Sequence, residues 1–125
     1  MPVYNQIFFR SIPDGNQIEP AALAKAGPVL AVEVSIPTAL TEKLTRENKP
    51  IPQPKAGLAL IDTGATHSCV DDDVISQLGV NPILGVNIQA QQVNNQPIIA
   101  LLGRDVLLRC VFIYNGSLGI YTLAF

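Results

Sequence analysis

The segment L-A-L-I-D-T-G-A-T-H-S-C-V, residues 58–70, holds the side chains best able to do chemistry: a carboxylate, an imidazole and a thiol. Asp62 ends an apolar run, Leu58 to Ile61. An ionised carboxylate at the end of a buried strand is costly unless it is paired, hydrogen-bonded or partly neutralised by a proton. The plainer account is an Asx-turn, in which Asp62 accepts backbone N–H bonds while Gly64 supplies permissive dihedrals. The other is that the carboxylate is there to exchange protons. A second polar group, Gly103-Arg104-Asp105, follows the apolar run A-L-L forty-one positions after Asp62.

The remaining candidates have simpler readings. Asp71, Asp72 and Asp73 are consecutive acids, better suited to capping the positive end of a helix than to holding a metal. Cys69 and Cys110 lack metal-ligand spacing and have only His67 as a possible companion, so reduced, buried thiols are expected and no metal site.

The elements that must position Asp62 follow from periodicity. G-P-V-L-A-V-E-V-S-I-P-T alternates, with Leu30, Val32, Val34 and Ile36 on one face and Ala31, Glu33 and Ser35 on the other, as in a half-buried strand. G-L-A-L-I-D-T-G is continuously apolar and reads as a strand buried on both faces. D-D-D-V-I-S-Q-L-G reads as a short helix capped by Asp71 or Asp72, with Val74, Ile75 and Leu78 inward and Gly79 ending it. I-L-G-V-N-I-Q and Q-P-I-I-A-L-L-G are further strands, and Asp105 is placed to cap a turn or two of helix through D-V-L-L-R-C. The final V-F-I-Y-N-G-S-L-G-I-Y-T-L-A-F reads as two strands joined around Asn115-Gly116. Ahead of these lie a turn at Pro13 to Gly15 and a helical piece from Pro20 to Gly27. Residues 1–27 read as an N-terminal extension and 38–56, charged and proline-rich, as an exposed loop.

The chain has 125 residues, 48% hydrophobic and 14% charged, which suits one globular domain and excludes a disordered tail. No apolar run approaches the roughly 20 residues of a bilayer span, so no membrane partner is expected. A net charge of −2 gives no basic field for nucleic acid. The first residues lack a basic start and an apolar stretch, from which a cytoplasmic location is expected.

Taken in order, L-A-L-I-D-T-G-A-T-H-S-C-V, a helix, and A-L-L-G-R-D-V-L resemble the retropepsin family of aspartic proteases, in which one apolar strand delivers D-T-G-A/S and a later one enters G-R-D or G-R-N before a short helix. The resemblance runs over residues 27–125, and L-L-G-R-D-V-L-L-R-C-V-F-I-Y-N-G-S-L-G-I-Y-T-L-A-F is especially similar to bacterial retropepsin-like proteins. It implies a mostly β chain, a closed acid-protease barrel with one or two short helices, functional as a homodimer.

The same resemblance implies an aspartic endopeptidase acting on peptides or proteins, with Asp62 as the catalytic carboxylate. Thr63 would brace the active-site loops across the dimer, and Gly64, Ala65, Thr66 and His67 would line the substrate; His67 reads equally as a plain loop histidine. Gly103, Arg104 and Asp105 would support the site, Asp105 by capping the helix or accepting from Arg104. This route to hydrolysis needs two carboxylates sharing one proton around a water. With one D-T-G per chain, the second comes from another subunit across a two-fold axis. No metal or organic cofactor is implied.

The sequence departs from the family in two places. Between Gly79 and Gly103 lie twenty-three residues, too few for the family's flap hairpin as well as the strands leading into the second motif. The seam falls near Gln89 to Gln92, and Asn94-Asn95 suits only a small turn. The flap is then deleted, replaced by the proline-rich loop, or carried by residues absent from this chain. Viral members pair the equivalent of Arg104 with an aspartate just after D-T-G-A, where this chain has Thr66 and His67. The alternative function is therefore a flap-deficient, weakly active or inactive dimerisation or peptide-binding module; a third reading is a small barrel whose D-T-G is only a turn.

Overall fold

The computed structural model describes residues 2–80, 87–90 and 97–125. It is mostly β, with ten strands and four short helices among the described residues. They divide into two compact units, the first made of Met1–Val29, Leu60–Ser68 and Leu102–Phe125, the second of Leu30–Ala59 and Cys69–Leu101.

In the first unit the chain ends meet. Strand β1 (Val3–Ile7) pairs antiparallel with β10 (Ile120–Ala124), which pairs with β9 (Val111–Asn115), giving the order β1-β10-β9. The N-terminal segment, expected as an extension, thus contributes an edge strand, followed by a hairpin of β2 (Phe9–Ile12) and β3 (Gly15–Ile18). Tyr121 and Leu123, both 1% exposed, fill one face of the three-stranded sheet, and the Tyr121 hydroxyl donates to the Val29 carbonyl. Helix α1 (Pro20–Ala26) starts at proline, whose missing N–H costs nothing there, and seats Leu23 at 0% exposure.

The hairpin expected at Asn115-Gly116 forms, but through a longer turn. Four residues separate the strands, Asn115 Oδ1 accepts from Ser117 Oγ and Leu118 N, and Gly119 takes the positive φ of 66°. A Cβ there would also come within 2.9 Å of Pro20 Cα, so glycine is demanded twice at this position.

The second unit is built on a five-stranded sheet of order β6-β8-β5-β4-β7: β6 (Cys69–Val70), β8 (Ile98–Leu102), β5 (Lys55–Ile61), β4 (Val29–Ser35) and β7 (Asn87–Ala90). In β4 Leu30, Val32 and Val34 are buried as expected, and so is Ala31 on the opposite face. In β5 burial alternates: Gly57, Ala59 and Ile61 are buried while Leu58 and Leu60 are only half-buried, which corrects the expectation of two buried faces. Helix α3 (Asp72–Leu78) is capped by the Asp71 carboxylate, accepting from Asp73 N at 2.8 Å, and ends at Gly79 in the left-handed conformation. Val74 and Leu78 are buried, whereas Ile75 is half-buried.

Two further expectations are corrected. The described strands form three separate sheets rather than a closed barrel, since β6 has only two residues to offer as an edge and β1, β9 and β10 form a sheet of their own. Among the described residues the helices number four, because residues 38–56 carry α2 (Thr38–Arg46): Pro37 precedes it, Thr41 Oγ1 donates to Pro37 O, and its residues are good enough helix formers to outweigh the surrounding prolines. None of its residues is buried, so residues 38–46 are an exposed helix and the expected loop is confined to residues 47–54, ahead of β5. The Gln89 to Gln92 seam is described only as far as Ala90 in β7, and the turn at Asn94-Asn95 lies outside the described residues. Among the described residues no helix is long and apolar enough to cross a membrane.

Candidate active site

β5 runs through Ile61, 4% exposed, and releases the chain at Asp62, which is half-buried while Thr63 and Gly64 are exposed. The apolar run therefore ends where solvent begins, and among the described residues no polar or charged side chain is fully buried. The cost that Asp62 was expected to carry is avoided within a single chain.

The loop from Asp62 is closed by its own carboxylate. Oδ1 accepts from Gly64 N at 2.8 Å, the Asx-turn expected from the sequence, and the Asp62 carbonyl accepts from Ala65 N at 3.3 Å. Among the described residues Oδ2 takes no hydrogen bond. The base of the loop is fixed to the end of β8, since Asp62 N donates to Leu102 O at 2.9 Å.

The second motif lies directly on this loop. Helix α4 (Arg104–Leu107) begins where Arg104 N donates to Ala65 O at 2.8 Å and Asp105 N donates to Thr66 O at 3.2 Å. Gly103 is required by close approach: a Cβ would stand 2.7 Å from His67 C and 2.8 Å from His67 O, both backbone atoms that cannot swing aside. The Arg104 guanidinium donates through Nη2 to Thr66 Oγ1 at 2.9 Å, so the position that departs from the viral pattern still serves the arginine as a neutral acceptor.

Asp105 plays neither role expected of it. The N-cap of α4 is Gly103, without a side-chain cap bond, and Asp105 accepts from Ser68 instead. Ser68 N donates to both carboxylate oxygens at 3.0 Å, Ser68 Oγ donates to Oδ1 at 2.7 Å, and Val106 N donates to Oδ1 at 2.9 Å. Ser68 Oγ in turn accepts from Gly103 N at 2.8 Å. These bonds, chiefly those from Ser68, hold the Asp105 carboxyl below its usual range, with a smaller contribution from the charge of His67.

Asp62, Thr63, Gly64, Ala65, Thr66, His67, Gly103, Arg104 and Asp105 thus all fall in the first unit and on two hydrogen-bonded segments. Thr63 and His67 are exposed and make no side-chain hydrogen bond among the described residues. Sequence reasoning missed Ser68: a serine six residues after an aspartate carries no signal until its partner, thirty-seven residues away, is known. Cys69 is exposed and Cys110 half-buried, with Sγ donating to Val106 O, so both thiols are free but neither is buried as expected. Among the described residues no three His, Cys, Asp or Glu side chains gather as a metal site. A groove of about 470 Å³ lies in the second unit, lined by residues such as Ile36, Thr41, Ile51 and Pro54, with none from either motif.

Compared with known proteins, the chain matches no family model, no curated protein and no solved structure.

Proposed function

We propose that the chain is a retropepsin-like aspartic endopeptidase active as a homodimer, in which Asp62 of each subunit contributes one carboxylate. The reading rests on one observation above all: D-T-G-A and G-R-D, far apart in sequence, are hydrogen-bonded to each other so that Asp62 projects from a braced loop with one carboxylate oxygen uncommitted. A lone carboxylate with an open oxygen is half of what water activation needs. Two such groups near a two-fold axis cannot both ionise easily, so one takes a proton from the attacking water while the other, protonated, polarises the scissile carbonyl. The half-buried Asp62 and exposed Thr63 are surfaces that a second copy would cover, and the burial that the sequence led one to expect would then be reached in the dimer. Gly64, Ala65, Thr66 and His67 would meet the substrate backbone.

The second reading, a peptide-binding module that turns over slowly or not at all, draws support from the short span before Gly103. A peptide-library digest at acid pH with the parent and Asp62→Asn proteins separates the two. Cleavage by the parent that is blocked by a pepstatin-type inhibitor and absent in the variant supports the protease. Stoichiometric peptide binding without turnover supports the module, and equal cleavage by both proteins removes Asp62 from the chemistry.

A further inference from the structure

We propose that Ser68 and Asp105 are positioning residues for Asp62, and that the loop bearing Asp62 is held in shape only while the Asp105 carboxylate is charged. This rests on the protease reading for its catalytic consequence, though not for the latch itself.

Ser68 ends the first-motif loop and Asp105 begins the helix of the second motif. Oδ1 accepts from three separate donors, Ser68 N, Ser68 Oγ and Val106 N, and Oδ2 shares Ser68 N; protonation takes the charge assistance from these bonds and turns one oxygen into a donor that faces Ser68 N. Its bond from Ser68 Oγ orients the hydroxyl so that the free lone pair receives Gly103 N at 2.8 Å. Gly103 is the residue whose backbone lies hard against His67 and Ala65, leaving no slack for another arrangement. The chain of constraint runs from Asp105 through Ser68 to Gly103, and back along Arg104 N to Ala65 O, three residues from Asp62.

The charged groups around Asp105 are few. His67 lies on the facing loop and favours the charged form. Arg104, on the carboxylate's own helix, is directed to Thr66. Protonating Asp105 therefore weakens every bond at the centre of the network and opposes the one from Ser68 N to Oδ2, and its partners include no second carboxylate to replace it. An acid protease built this way has a lower pH limit set by its scaffold as well as by its catalytic pair.

The test uses ¹⁵N-labelled full-length Asp62→Asn protein, so that Asp62 does not titrate. Amide resonances of Ser68 and Gly103 are followed from pH 6 down to pH 2. The latch predicts that both move together with one midpoint below the ordinary Asp value of about 3.9, and that Asp105→Asn in the same background abolishes the movement. Resonances that stay still over this range, or move equally without Asp105, overturn it. In the parent background, Ser68→Ala is expected to lower kcat by about tenfold or more with KM little changed. Ser68→Thr, which keeps the hydroxyl, should recover most of the loss, a rescue that general destabilisation would not give. Unchanged kcat in Ser68→Ala overturns the positioning role. A parent without turnover under any condition removes the protease reading and the positioning role with it, while the resonances still decide whether the latch exists.

Discussion

Arg104 donates through Nη2 to the Thr66 hydroxyl at 2.9 Å, bridging the two motif segments across thirty-eight positions of chain. A neutral acceptor stands where a carboxylate would make the bond charge-assisted. Thr66→Val should therefore cost only about 0.5–1 kcal/mol, since both residues are exposed. Thr66→Asp should raise stability by up to about 1 kcal/mol, and the gain should fade with added salt. Urea midpoints at low and high salt check both.

Two glycines with crowded surroundings should respond differently to alanine. At Gly103 the new Cβ meets the backbone of His67 and Ala65, and destabilisation of about 1–3 kcal/mol or more is expected, with loss of the loop's geometry. At Gly57 it meets both γ branches of the Ile99 side chain at 2.6–2.9 Å, which no single rotamer change clears, but a side chain yields with a small shift more readily than the paired backbone at Gly103. The smaller urea-midpoint shift should belong to Gly57→Ala.

The Asp105 carboxyl is held below its usual range by the hydrogen bonds from Ser68. A lowered folded-state pKa means that the ionised group contributes stability above the ordinary value of about 3.9, and that this contribution is lost as pH falls through the folded value. The difference in melting temperature between parent and Asp105→Asn should be constant near neutrality and shrink below about pH 4. A difference that grows on acidification would contradict the linkage.

Much of the scaffold was legible because local chemistry and tertiary need agree there. The alternation of β4, the cap at Asp71, the stop at Gly79 and the Asx-turn at Asp62 each follow from short-range rules. The failures come from long-range pairing. No local signal says that Val3–Ile7 will pair with Ile120–Ala124, or that Asp105 will turn from its own helix end toward Ser68. Continuous apolarity in β5 does not reveal that Leu58 and Leu60 remain half-exposed. Helix α2 was hidden by the prolines on either side of it, which limit its ends without interrupting its interior.

Tyr121 offers an alkaline test of the first unit's core. Burial pushes its hydroxyl up to about 12, and the same hydroxyl donates to the Val29 carbonyl. A raised pKa means that the stabilisation is full below the unfolded value of about 10 and is lost as pH rises toward about 12. Tyr121→Phe should cost about 1–3 kcal/mol at neutral pH by leaving the carbonyl unpaired, and should flatten the alkaline decline. Denaturation curves between pH 7 and 12 measure both effects.

An active site that takes Asp62 from each of two chains is exposed by subunit mixing. Parent and Asp62→Asn proteins are combined in equal amounts, allowed to exchange, and assayed on a peptide the parent cleaves. If both carboxylates are required, only parent–parent dimers work, and activity per parent chain should fall by about half, leaving roughly one quarter of the activity of an equal total of pure parent. Activity strictly proportional to the parent fraction would mean that each chain works alone, and would contradict the shared site.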